Sequence, residues 1–210
     1  MAYNATFTAL LTMAAEQGGY FTAHQARVIG YGYDDQHYHV EQGHRCKVAR
    51  GLYRLQGYPQ PAAWDLIELT LLSADRTGVP QLVFSHETAL VLHELSEVNP
   101  PELHATVPPG FRKQLPLEVV LHYARLAEED WEAREGYRVT TPLRTLLDIA
   151  ASPTSWPFLE DAVRQALARG LVRRGQLLTV PGSTRMRTRL RAVLRHLEQQ
   201  PQSERQKAAH

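Results

Sequence analysis

Residues 34–57 change pattern halfway, and this change limits the folds that the chain can adopt. Residues 33–42 are polar, start with acidic side chains and stop before a glycine, which is typical of a short helix. Residues 45–55 instead contain two short β-prone runs around Arg50-Gly51, a turn sequence that favours a β-hairpin. The sequence therefore predicts a short polar helix followed directly by a basic hairpin.

Two further helices are predicted before this pair. Apolar residues at helical spacing predict the first, which a glycine pair ends. Thr22 occupies an N-cap position before the short apolar run 23–29, and glycines then break the chain again. The order helix, helix, helix, hairpin is that of a winged helix-turn-helix. We therefore interpret 33–42 as the helix that enters the major groove and 45–55 as the wing.

Projecting the predicted third helix at about 100° per residue gives it two different faces. One face holds its single aliphatic residue and is expected to pack against the domain: Tyr33, Gln36, His37 and Val40. The other face is polar and is expected to stay open for contacts with bases or backbone: Asp35, Tyr38, His39 and Gln42.

Alternation along the hairpin places apolar side chains inward and basic side chains outward. Val48, Leu52 and Leu55 are the expected inward residues. Cations at the edge of a wing suit phosphate contacts, which do not depend on base sequence. The candidate DNA contacts from the hairpin are Arg45, Lys47, Arg50, Tyr53 and Arg54.

The net charge of +1 conceals an uneven distribution. Residues 61–159 carry seven Lys or Arg and fourteen Asp or Glu, whereas residues 160–210 carry eleven and four. A basic segment of this size indicates either contact with a polyanion or an Arg-rich helix with a solvated face. On the first interpretation, Arg185, Arg187 and Arg189 are further candidate DNA contacts.

Composition and motifs predict a cytoplasmic protein without a membrane partner. The single Cys46 fits a reducing compartment. No segment approaches the roughly 18 apolar residues of a membrane span. The N-terminus also lacks the basic start of a signal peptide.

The chain is long enough for two small domains, and a Pro- and Gly-rich stretch at 57–64 predicts the boundary between them. The second part mixes predicted helices and strands, among them a strand at 117–122. We therefore predict an α+β protein. It would comprise a winged helix-turn-helix at 1–57, a mixed α/β domain at 58–199 that ends in a basic helix, and a disordered tail at 200–210.

No pattern for catalysis is evident. The sequence lacks a phosphate-binding glycine loop, a nucleophile elbow, a paired-cysteine zinc signature and a nuclease constellation. His37 and His39 point about 200° apart on a helix and cannot share one ion. His86 and His93 lie two turns apart and suit packing or capping. We predict no enzyme activity, metal or cofactor; a metal-dependent enzyme that uses the His and Glu residues is the alternative.

Five segments carry a resemblance to a known family. GGYFTAHQARVIGY, HYHVEQG and VARGLYRLQGYP resemble the N-terminal winged-helix domain of AbiEi-type antitoxins. These proteins are the repressor–antitoxin halves of type IV toxin–antitoxin and abortive-infection operons. FSHETALVLHELSEVNPPELHATVPPGFR and VTTPLRTLLDIA are similar to the C-terminal domain of the same family, so the resemblance covers about residues 8–175 in the family's order.

The resemblance implies a transcriptional autorepressor that binds inverted repeats in double-stranded operator DNA. It also implies an antitoxin whose partner is a nucleotidyltransferase-like toxin encoded alongside, with a C-terminal domain that neutralises the toxin and supports DNA binding. The chain departs from the family pattern at Gly32, Tyr33, Asp34 and Glu41, which makes its reading helix more acidic. An alternative is therefore a protein-interaction antitoxin or stand-alone regulator that contacts a partner protein directly, with weak or no specific DNA binding.

Overall fold

The structure, a computed structural model, describes residues 2–97, 100–115 and 119–207, with side chains described for 5–97, 100–115 and 119–199. The chain divides into two compact units that both contain helices and strands, which confirms the predicted α+β class. The first unit comprises Met1–Val83, Val107–Glu118 and Ala133–Arg138. The second comprises Phe84–Thr106, Val119–Glu132 and Val139–His210.

The first unit contains a small antiparallel sheet together with helices. Its elements are α1 (Ala2–Ala15), β1 (Tyr20–Thr22), α2 (Ala23–Ile29), α3 (Tyr33–Glu41), β2 (Arg45–Ala49), β3 (Leu52–Leu55) and α4 (Trp64–Leu72). β3 lies between β1 and β2, so the sheet order is β1-β3-β2. Tyr20 is opposite Arg54 in one pair of strands, and Arg45 is opposite Leu55 in the other.

Local capping interactions set the boundaries of α2 and α3. The Thr22 hydroxyl accepts a hydrogen bond from the Gln25 backbone N–H at 3.1 Å, and the Gln25 side chain accepts one from the Thr22 N–H at 2.8 Å. This capping box starts α2 where the sequence predicts it. Gly30 ends the helix at φ 114°, in the left-handed region that favours glycine. The Asp35 carboxylate then accepts a 2.7 Å hydrogen bond from the Gly32 N–H.

Apolar residues of the first unit pack in clusters. One cluster includes the fully buried Leu10, Ala14 and Phe21. Another joins Ile67 of α4 to Leu52 of β3. The first unit therefore extends beyond residue 57, where the sequence predicts a domain boundary, because α4 buries its apolar face against β1 and β3.

The remaining elements build mainly the second unit. They are β4 (Val83–Phe84), α5 (His86–Leu92), β5 (Leu103–Val107), β6 (Val119–Tyr123), a 3-10 turn (Glu128–Asp130), β7 (Trp131–Arg134), β8 (Tyr137–Thr140), α6 (Pro142–Ala151), α7 (Trp156–Ala168), α8 (Arg174–Thr179) and α9 (Thr184–Lys207). The strands form one sheet in the order β6-β5-β4-β8-β7, in which β4 and β8 are parallel.

Helix α6 is central to the packing of the second unit, where it contacts α5, α7, α8 and α9. Thr141 caps its first turn and Pro142 occupies the first position, as the sequence predicts. Leu146 and Ile149 of α6 are fully buried against residues such as Leu190 of α9. Apolar stripes at helical spacing therefore hold this unit together.

Two predicted segments end differently in the structure. Helix α9 continues to Lys207, into the segment 200–210 for which the sequence predicts disorder. Residues 208–210 lie outside the described residues. The strand predicted over 117–122 is described from Val119 onward, and positions 117 and 118 also lie outside. None of the helices in the described ranges has the length and apolar character that crossing a membrane requires.

Candidate functional site

A concave groove of about 650 Å³ lies between α2, α3 and the β2–β3 hairpin. Three exposed cations line it, namely Arg27, Lys47 and Arg50, and no Asp or Glu among the described residues does so. A cationic concavity concentrates positive potential. The other lining residues are Ala23, His24, Tyr31, Gly32, Tyr33, Gln36, Gly51 and Tyr53.

One backbone hydrogen bond fixes the hairpin tip to the start of α2. The Ala23 N–H donates to the Gly51 carbonyl oxygen at 2.8 Å. Gly51 adopts φ 76° at the turn, a conformation that favours glycine. Arg50 directly precedes Gly51 in this turn. The hydrogen bond to α2 therefore also positions the backbone of Arg50.

Arg45 does not lie at the outer edge of the hairpin, so its prediction as a phosphate contact is wrong. Its side chain is buried, and its guanidinium lies 4.1 Å from the ring centroid of Tyr31 and 5.3 Å from that of Phe21. The guanidinium also donates a 2.6 Å hydrogen bond to the Gln36 side-chain oxygen. A guanidinium is weakly hydrated and stacks on aromatic rings, which makes this burial possible.

His39 is also buried, although the helical projection places it on the open face. Its ring packs edge-on against Tyr31 and Tyr38, and its Nδ1 lies 3.1 Å from Nδ1 of His44. Burial lowers the pKa of His39, and the charge of Arg45 lowers it further. His39 therefore supports α3 from beneath and is not available for DNA.

The packed stripe of α3 consists of Gln36 and His39, because this helix packs against both α2 and β2. Three side chains predicted to face inward are exposed instead: Tyr33 is 83% exposed, Val48 is 37% exposed, and His37 is also exposed. A projection that uses apolar residues alone fails where a helix packs through polar ones. Leu52 and Leu55 are buried as predicted.

Two further hairpin predictions change in the structure. Tyr53 is buried, and its ring stacks on Phe21 with centroids 5.8 Å apart. Arg54 is half-buried over the Tyr20 ring, 5.9 Å from its centroid. Both belong to the central strand β3, where side chains meet neighbours on each face. The candidate contacts that remain exposed in this unit are Asp35, Tyr38, Gln42, Lys47 and Arg50.

The three candidate arginines of α9 divide into two kinds. Arg185 and Arg187 are exposed. Arg189 instead donates hydrogen bonds to main-chain carbonyls at the end of α6, including those of Ile149 at 3.3 Å and Ser152 at 2.6 Å. These carbonyls lack partners within their own helix, so Arg189 caps α6 and its prediction as a DNA contact is wrong.

Sequence reasoning missed Arg27, which lines the groove from α2. The sequence analysis predicts the second helix but assigns it no contact with DNA. The sequence does offer one signal, since Arg27 lies on a short helix at a position that is not part of its apolar face. That Arg27 lines the same groove as Lys47, however, depends on pairing between segments that are distant in sequence.

Within the described residues, no group of three or more His, Cys, Asp or Glu side chains has the geometry to hold a metal ion. His44 and Cys46, which lie close together in the sequence and could be considered as metal ligands, contact other side chains. His44 lies beside His39, and the Cys46 thiol lies 2.6 Å from the Gln56 side-chain oxygen.

Comparison with known proteins supports the fold. No family model matches the sequence, and no curated protein matches it. The crystal structure of the RV2827C protein from Mycobacterium tuberculosis is similar, with a TM-score of 0.52 and 16% sequence identity over 88% of this chain and 74% of that chain. At this identity the similarity concerns the fold alone.

Proposed function

We propose that the first unit is a winged helix-turn-helix domain that binds double-stranded operator DNA. The element order α1-β1-α2-α3-β2-β3 and the sheet order β1-β3-β2 support this assignment. The observation that carries the proposal is the groove, in which Arg27, Lys47 and Arg50 are exposed without an acidic lining residue among those described. Cations arranged in this way attract phosphates.

The exposed residues of α3 are assigned different roles in this proposal. Tyr38 is 55% exposed and Gln42 is exposed, so both are available to base edges in the major groove. The Asp35 carboxylate caps the Gly32 N–H, which offers a reason for an acid at the start of a DNA-reading helix. We therefore assign base reading to Tyr38 and Gln42 and phosphate contact to the groove cations.

We further propose that the chain is an autorepressor and antitoxin of the AbiEi type, from a type IV toxin–antitoxin system. The resemblance of the sequence segments over about residues 8–175 supports this part of the proposal. Its partner would be a nucleotidyltransferase-like toxin encoded alongside. Growth rescue on co-expression with that neighbouring protein tests the antitoxin role, and continued growth arrest contradicts it.

DNA binding is tested by fluorescence anisotropy with the chain's own upstream DNA and a scrambled duplex, at about 50 and 200 mM salt. Wild type is expected to prefer the upstream DNA and to weaken as salt rises. Arg27→Ala and Arg50→Ala should weaken binding to both duplexes by a similar factor and reduce the salt slope by about 1 each. Arg76→Ala is the matched control, because Arg76 is an exposed arginine of the same unit that does not line the groove.

Base reading is tested separately with Tyr38→Ala and Gln42→Ala. Both variants should reduce the preference for upstream DNA over the scrambled duplex, at about 1–3 kcal/mol for a lost base contact. Equal binding of wild type to both duplexes contradicts the repressor proposal. Wild-type discrimination in both variants contradicts the docking of α3.

A second candidate function is a protein-interaction antitoxin with weak DNA binding. Exposed acidic residues of α3, Asp34 and Glu41, favour it because they repel phosphates. It predicts a tight complex with the neighbouring protein together with no preference between the two duplexes.

A further inference from the structure

The second unit contains a cluster of three histidine rings from three elements. His86 begins α5, His104 lies in β5 and His122 lies in β6. The rings of His86 and His122 stack with centroids 3.5 Å apart and planes 12° apart. His104 Nδ1 lies 3.1 Å from His122 Nε2 and 3.2 Å from a Glu87 carboxylate oxygen. The cluster thus links the edge strand β6 to β5 and α5.

His86 and His122 both have a ring nitrogen in a short polar contact. The Thr106 hydroxyl donates to the Ser85 hydroxyl oxygen at 2.8 Å. The Ser85 oxygen lies 2.9 Å from His86 Nδ1, so the Ser85 O–H can donate to this nitrogen when the ring is neutral and carries its proton on Nε2. His104 Nδ1 can likewise donate to His122 Nε2, in competition with the Glu87 carboxylate. In this arrangement, protonation of either stacked ring removes a hydrogen-bond acceptor.

Electrostatics favour the neutral form of both stacked rings. Burial, followed by the charges of His122, His104 and Arg144, lowers the pKa of His86 to about 3. Burial also lowers the pKa of His122, followed by the charge of His104, whereas Glu87 opposes this shift. Both rings are therefore neutral at pH 7.

The neighbouring charges on α6 are held by their own contacts. Arg144 pairs with Asp130 at 3.0 Å and with Asp148 at 2.9 Å. Burial raises the pKa of Asp148 to about 6, against the lowering effect of Arg144. Asp148 therefore binds a proton more readily in the folded state, and its protonation stabilises the fold as pH falls through about 6. Its effect is opposite in sign to that of the stacked histidines.

We propose that this cluster is a pH-operated latch. Neutral His86 and His122, together with His104, hold the edge strand β6 against β5 and α5, and protonation of the stacked pair releases the strand. Two positive rings stacked at 3.5 Å repel each other strongly. An edge strand has a neighbouring strand on one side only, so it opens with the smallest loss of structure.

The difference in the pKa of His86 between the closed and released forms sets the expected change in the population of the released form. When β6 is released, His86 regains its ordinary pKa of 6.5, whereas in the closed cluster the value is about 3. The released form therefore binds more protons, and the closed form loses stability as pH falls from 6.5 towards 3. From His86 alone, the open population should rise about 30-fold between neutral pH and pH 5.

Amide hydrogen exchange of β6 at pH 7 and pH 5, corrected for intrinsic exchange rates, tests the latch. In wild type, protection of these amides should fall about 30-fold or more at pH 5 relative to the amides of β3. His86→Asn and His122→Phe should reduce this fall, since Asn tolerates the φ of 52° at position 86 and Phe retains the stack. His37→Phe, which changes an exposed histidine of α3, should leave it unchanged. Equal falls in wild type and both cluster variants, or no fall in wild type, would overturn the proposal.

Histidine ring-proton NMR of the wild-type chain keeps the proposal testable if a variant does not fold. His86 and His122 should titrate only together with the exposure of β6. Ordinary titration of either ring near pH 6.5 while the β6 amides stay protected would also overturn it.

Discussion

Four arginines, two from each unit, show two different roles of this side chain. In the first unit, Arg27 and Arg50 are exposed and line a groove without acidic lining residues among those described. In the second unit, Arg144 is held between Asp130 and Asp148, and Arg189 is held by main-chain carbonyls. Charge counts along a sequence do not distinguish these roles. The function of an arginine depends on what lies around its guanidinium.

Arg45 is the strongest test of this contrast, because it is a buried arginine in the unit with the exposed ones. Arg45→Ala removes two ring contacts and leaves the Gln36 oxygen without its 2.6 Å donor. We expect a loss of roughly 2–4 kcal/mol in the free energy of unfolding. Urea unfolding followed by circular dichroism measures it, with Arg50→Ala as the exposed control. Equal stability of the two variants would contradict a structural role for Arg45.

Arg189 provides the matching test in the second unit. Arg189→Ala should destabilise the chain by about 1–3 kcal/mol, because several α6 carbonyls lose a charged donor. Arg187→Ala, at an exposed position of the same helix, should stay within about 0.5 kcal/mol of wild type. Thermal unfolding separates the two. A wild-type Tm for Arg189→Ala would show that these hydrogen bonds do not stabilise α6.

Burial of His39 makes the stability of the first unit depend on pH. The pKa of His39 is lowered below its ordinary 6.5, so the unfolded chain binds the proton first and stability falls as pH drops below about 6.5. The loss is at most about 1.4 kcal/mol per pH unit. His39→Phe should remove this contribution and His37→Phe should retain it, as measured by urea unfolding at pH 7.5 and 5.5. The same slope in both variants would place the titrating group elsewhere.

The smallest expected stability effect is at Lys47, an exposed cation of the groove. Lys47→Ala should change the unfolding free energy by no more than about 0.5 kcal/mol. It should nevertheless lower the salt slope of DNA binding by about 1. A loss of stability without any change in the salt slope would show that Lys47 stabilises the fold and does not contact phosphates.

Local chemistry made many element boundaries predictable. Thr22, Gly30 and the Thr141-Pro142 pair start or end helices through contacts within a few residues, and the structure has these boundaries where the sequence predicts them. The strand β1 was missed, because its pairing partner Arg54 lies far along the chain from Tyr20. Three residues carry too little periodicity to indicate a strand by themselves.

The candidate site was harder to predict than the elements that build it. His39 and Arg45 are buried because Tyr31 and Phe21 offer ring faces there, and helical or strand alternation does not include that information. Arg27 joins the groove only because β1 pairs with β3 and the hairpin tip reaches α2. Exposure at such positions depends on contacts between segments that are distant in sequence.

The hydrogen bond from Ala23 to Gly51 has a consequence for the kinetics of binding. Ordering one backbone residue costs about 1–2 kcal/mol of conformational entropy, and here the hairpin tip is ordered when the unit folds. A ligand of the groove therefore meets a tip that is already in place, and encounter is not delayed by loop ordering. Changes at the tip that keep its charge should then alter how long a complex lasts more than how fast it forms.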